Sequence, residues 1–158
     1  MITIEKSKTA DTRTCDYSKV TKEQLYKSSQ QHKSDIVAGM QFFIEKMKDS
    51  MVLHDDDKLK NIDGFHADFL TGFKQTGWWD EHRKIARHHL MSEDGVPIDV
   101  NLIDVMDMIV DCVMAGMGRS GSVYPLEISG GLLLRAFNNT VELLKAEIVV
   151  KEEFSQGI

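Results

Sequence analysis

A chain of 158 residues, 42% hydrophobic and 28% charged, is too apolar for a disordered segment and has the length of one domain, able to bury roughly two-thirds of the surface its unfolded form exposes. A formal net charge of −6 supplies no basic field for a phosphate backbone, which argues against nucleic acid as the main partner but leaves small anions open where a local cation draws them in. Two cysteines without Cys-x-x-Cys spacing, no apolar leader segment and no 18-residue apolar run argue against a disulfide framework and a membrane span, so a soluble protein of the reducing cytoplasm is expected.

Residues 1–20 are polar apart from Ile2-Thr3-Ile4 and are expected to form a flexible N-terminal arm or one stray strand. Thr21-Lys22-Glu23-Gln24 has capping-box form and starts the first helix. Along it Ile36, Met40, Phe43, Ile44 and Met47 recur on one face, and four residues back from Ile36 stands His32, which this spacing turns toward the core. Met51 to Leu59 makes a second, short segment. Ile62, Phe65, Phe69 and Phe73 mark a third helix ending near Gly77, and Trp78-Trp79-Asp80 opens a fourth.

In that fourth helix His82, Ile85, Ala86 and His89 share a face, and His88 is turned about 100° away. Beyond a break at Glu93 to Pro97, the long apolar helix Val100 to Met117 carries Asp104, Asp107 and Asp111 as an acidic stripe. Gly116 to Gly131 reads as a loop rich in Gly and Ser. A last helix, with Leu133, Phe137, Val141, Leu144 and Ile148, closes the core ahead of a charged tail at 151–158. The expected fold is all-α: one domain over residues 21–150, a bundle of about six helices.

All six histidines lie between positions 32 and 89. Neutral imidazole and carboxylate are the natural ligands of divalent transition metals, and helices can converge them from distant parts of a chain. Asp56 and Asp57 read as a solvated helix end, and Trp78 and Trp79 as packing against a helix start. Asp107, one turn from Asp104, is placed to orient a ligand histidine from behind. Arg119, with Ser120 and Ser122, offers an anion contact.

The string Met51-Val52-Leu53-His54-Asp55-Asp56-Asp57-Lys58, an apolar run ending in His-Asp with Lys three residues later, resembles the signature of HD-domain phosphohydrolases. In that family an earlier His and a later Asp complete the set, and His32, His54, Asp55 and Asp104 occur in that order. Ile85-Ala86-Arg87-His88-His89, followed by Gly95, Pro97 and Leu102-Ile103-Asp104-Val105, is similar to the His-pair block of the HD-GYP branch and to an HD-like family found in phage genomes, which would make a host cytoplasm the setting.

The resemblance implies an HD-type bundle and a divalent metal (Mn, Fe, Mg, Co or Zn) held by His32, His54, Asp55 and Asp104. It also implies Asp55 and Lys58 as catalytic residues and Lys58 as a contact to substrate; by residue chemistry alone, His82 with His88 or His89 could supply a second metal and Arg119 a second contact to substrate. The activity it implies is hydrolysis of a nucleotide or another small phosphate ester by metal-activated water. The Gly-Tyr-Pro tripeptide is absent, and Ser28 stands where some members have an acidic ligand. The competing expectation is therefore an inactive HD scaffold that binds a nucleotide or a host protein. A homo-oligomer is open on either reading.

Overall fold

The computed structural model describes residues 1–9, 11–90 and 93–151. Ala10 of the arm, Met91-Ser92 and all of the charged tail beyond Lys151 lie outside the described residues. In chain order the elements are β1 (Ile2–Glu5), α1 (Lys22–Leu53), α2 (Asp56–Lys60), α3 (Ile62–Phe69), α4 (Trp78–Ile85), α5 (Leu102–Ser120), α6 (Gly130–Glu147) and β2 (Ile148–Lys151). Among the described residues the regular structure is helical apart from one two-stranded sheet. Among the described residues no helix is long and apolar enough to cross a membrane.

The chain divides into two compact units, Met1–Ile44 with Leu143–Ile158, and Glu45–Glu142, so α1 and α6 each supply residues to both. In the first unit the N-terminal arm is tied down. β-branched side chains favour extended pairing, and β1 runs parallel to β2 with Ile2 opposite Ile148 and Glu5 opposite Lys151. The Met1 ammonium lies 2.8 Å from Glu147, and buried Ser28 bonds Thr9 Oγ1 at 2.6 Å and Ser7 Oγ at 3.0 Å. The capping box forms as its sequence predicts: Gln24 N–H donates to Thr21 Oγ1 at 3.2 Å and Thr21 N–H to Gln24 Oε1 at 2.9 Å.

The second unit is built round Leu90, Val100, Val105, Met108 and Ala136, with Val96, Leu102, Cys112, Ile128 and Leu132 packed against them. Asn101 caps α5 by accepting from Ile103 N–H, while Asp104 accepts from Asn101 N–H. Residues of α6 hold that entry in place, Asn139 Nδ2 donating to the Val100 carbonyl and Thr140 Oγ1 accepting from Leu102 N–H, both at 2.8 Å.

Three expectations change. The apolar face of α1 is open: Ile36, Met40, Ile44 and Met47 are between 38% and 60% exposed, and Leu133, Phe137 and Val141 of α6 are exposed too. Periodicity fixes which side of a helix is apolar but not what lies over it. The third helix stops at Phe69, because the Asp68 carboxylate draws the chain into a turn by accepting from Thr76 N–H and Trp79 N–H, both at 3.0 Å. The fourth helix stops at Ile85, where Ala86 turns extended, so His88 and His89 leave the helical register and the 100° separation expected of His88 does not apply.

Candidate metal centre

α1 ends immediately before the His54-Asp55 pair. Asp55 takes φ 55°, ψ 15°, the left-handed region that a non-glycine residue occupies at a cost of about 1–3 kcal/mol and that clusters at functional sites. The twist starts α2 at once and turns the Asp55 carboxylate toward α4. From α4 comes His82, 1% exposed, its ring stacked on Trp78 at 5.2 Å and flanked by Trp79 at 5.1 Å. The turn after α4 brings in buried His88 and half-buried His89. That turn is held by Arg87, which donates to both oxygens of Asp104 at 2.7 and 2.8 Å. It is also crossed by Gly95, where a Cβ would meet the His89 carbonyl oxygen at 2.2 Å.

Two carboxylates fix two imidazoles. His54 Nδ1 lies 2.8 Å from Asp107 Oδ1, and His82 Nδ1 lies 2.7 Å from Asp57 Oδ2. An ionised carboxylate only accepts, so each Nδ1 carries a proton, and in the neutral ring each Nε2 presents a lone pair. Both lone pairs face Asp55: His54 Nε2 is 3.6 Å from its Oδ2 and His82 Nε2 is 3.4 Å from its Oδ1. His88 Nε2 is 3.6 Å from the same Oδ1, and His89 Nε2 is 3.0 Å from His82 Nε2. Asp111 Oδ1 stands 3.7 Å from His54 Nε2.

Among the described residues three sets of donors could each hold one cation: His82, His88 and His89; His54, Asp55 and His88; Asp55, Asp57 and His82. Within each set the ligand atoms lie within 4.8 Å of one another. Nitrogens bound at about 2.05 Å to one tetrahedral ion stand roughly 3.3 Å apart, close to the spacing of His82 and His89. The fit rests on two buried atoms without a hydrogen-bond partner, Asp55 Oδ1 and His88 Nε2. A buried unpaired acceptor is costly, and a divalent ion between them would satisfy both. Compared with protein-family models, with curated proteins and with solved structures, the chain matches none.

The electrostatics favour the ligating protonation states. Burial, reinforced by His54, pushes the His88 imidazolium below its ordinary range despite nearby carboxylates. Burial together with His88, His82 and Lys58 holds His89 down to about 4. Both are neutral at pH 7, as metal ligation requires. Burial opposes ionisation of Asp55, but the Lys58 ammonium 2.5 Å from its Oδ2 outweighs it and keeps the carboxyl below the usual carboxylate range.

Of the residues singled out in the sequence, His54, Asp55, Lys58, His82, His88 and His89 come together, with Asp107 behind His54. His32 lies exposed on α1 within the other unit. Asp104 is 4% exposed and has both oxygens engaged by Arg87 and Asn101 N–H, so it is occupied within the fold, and the α5 carboxylate that meets His54 is Asp107, one turn further along. Arg119 is exposed in the last turn of α5, about 12 Å along the axis from Asp111. Sequence reasoning missed Asp57, set aside as solvated, and Asp111 and Arg87. The i, i+4 repeat of Asp107 and Asp111 on an otherwise apolar helix was the signal for the second of these.

Proposed function

We propose that this protein is a divalent-metal-dependent phosphohydrolase acting on a nucleotide or a similar small phosphate ester. The observation that carries the reading is the pair of buried atoms without partners, Asp55 Oδ1 and His88 Nε2, 3.6 Å apart and flanked by the His82 lone pair. His82, His88 and His89 would hold an ion, or His54, Asp55 and His88 would, with Asp111 nearby. Bound there, a divalent ion supplies a lowered pKa for water and polarisation of a phosphoryl oxygen. Asp57 and Asp107 keep two imidazoles in the ligating tautomer. Trp78 and Trp79 exclude water from behind His82, and Lys58 Nζ, 5.5 Å from the Trp79 ring centre, offers an ammonium to a phosphate oxygen.

The test is elemental analysis of purified protein followed by a screen of nucleotides, cyclic dinucleotides and simple phosphate esters with Mn²⁺. Metal near one or two per chain and release of phosphate, pyrophosphate or nucleoside, both lost in His82→Ala, support the reading. Metal-free protein that takes up no Mn²⁺, or inactivity across the whole panel, removes it. One observation favours a second reading, a binding module without turnover: Lys58 already gives Asp55 Oδ2 a cation. That reading expects a nucleotide to bind with unchanged affinity after chelation.

A further inference from the structure

The flank of α5 that faces neither the core nor the histidines is a coiled-coil seam. Ile103, Met106, Val110, Val113 and Met117 follow one another at intervals of three, four, three and four residues, the repeat by which one helix packs knobs into the holes of another. No charged residue stands on it. Ile103 and Val113 are half-buried, whereas Met106 and Val110 are each 50% exposed and Met117 53%, with Ile109 and Met114 widening the strip. Val105 and Met108, on the neighbouring side of the same helix, are in the core, so the exposed residues are surplus to what this unit buries.

We infer that this seam is an interface between two copies of the chain, α5 of one packing on α5 of the other. The strict three-four spacing specifies a helix as occupant. The lack of charge along it gives a strongly charged partner nothing to pair with, while a second copy meets no like-charge clash between knobs. Pairing two such strips would remove on the order of 1,000 Å² from water, the area at which specific interfaces begin. Methionine at three of the seven positions of the strip suits a surface that must repack against itself. The inference is independent of the metal reading, because none of these side chains belongs to the donor sets.

Sedimentation equilibrium of the full chain tests it. The wild type is expected at twice the 17.9 kDa of one chain, and Val110→Glu, placing a carboxylate mid-seam, is expected to weaken pairing at least about 100-fold with unchanged helical circular dichroism. Leu134→Glu, on the exposed face of α6, should remain paired. Should Val110→Glu fail to fold, single cysteines at Val110, Val113, Met114 and Met117 in a Cys15→Ser, Cys112→Ser background replace it, at least one of which should oxidise to a covalent dimer. A wild type that stays monomeric, a Val110→Glu protein that stays paired, dissociation by Leu134→Glu alone, or no cross-link at any of the four positions overturns the inference.

Discussion

Two flanks of α5 invert the usual arrangement of polar and apolar groups. Along one, Asp104, Asp107 and Asp111 are covered or half-covered by Arg87, His54 and His88; along another, Met106, Val110 and Met117 stand half in water. Burial by hydrophobicity alone would do the reverse. The polar flank stays closed because Asp104 is held by Arg87 and Asn101 N–H and Asp107 by His54 Nδ1–H and Ser50, and removing one partner from such a pair costs more than the pair itself contributes. The contrast teaches that this helix is patterned for a site and a surface as much as for a core, and each prediction below disturbs one side of it.

The largest effect is expected from His82→Ala. It takes a lone pair from two of the three donor sets and should reduce bound metal, measured by elemental analysis, below a tenth of the wild-type stoichiometry with activity lost in parallel. Asp107→Asn is next. It leaves an oxygen for His54 but weakens the acceptor that fixes its tautomer, and metal affinity by competition titration should fall about 10–100-fold in a protein that stays folded. An unchanged affinity would mean that His54 takes no part in metal binding.

Arg87→Ala attacks the closed flank without touching a metal donor. It strands the Asp104 carboxylate, and with the Arg87 side chain 42% exposed the loss should be about 2 kcal/mol in urea unfolding, below the range for fully buried pairs. The smallest effect concerns acid. The Trp79 amide, aided by Thr76 and Thr71, holds the Asp68 carboxyl down to about 2 against an ordinary 3.8. A depressed carboxyl stabilises the fold fully above the unfolded value and loses that contribution as pH falls through the folded one. Between pH 4 and 2 the wild type should therefore lose stability faster than Asp68→Asn, as midpoints of thermal melts would record.

How much of this was legible beforehand varied with the range of the interaction. Thr21 and Gln24 cap α1 as their spacing predicts, because a capping box needs only four consecutive residues. His54 and Asp55 stood out as neighbours in sequence. Asp104 was expected beside them in place of Asp107, since which acidic residue of α5 meets His54 depends on where α5 starts. Asn101 and the Arg87 pair fix that start, assigning Asp104 to the cap and Asp107 to the imidazole. The left-handed turn at Asp55 and the early end of α4 were also out of reach: both bring His82, His88 and His89 onto one carboxylate by leaving helical geometry, and a periodicity argument assumes that geometry continues.

The sheet ties the beginning of the chain to nearly its end. β1 pairs with β2 across some 146 residues, Ile2 to Ile148, so on a ribosome the first strand emerges with an open hydrogen-bonding edge and must wait for the long intervening stretch to be made before its mate exists. Closing so long a loop is slow.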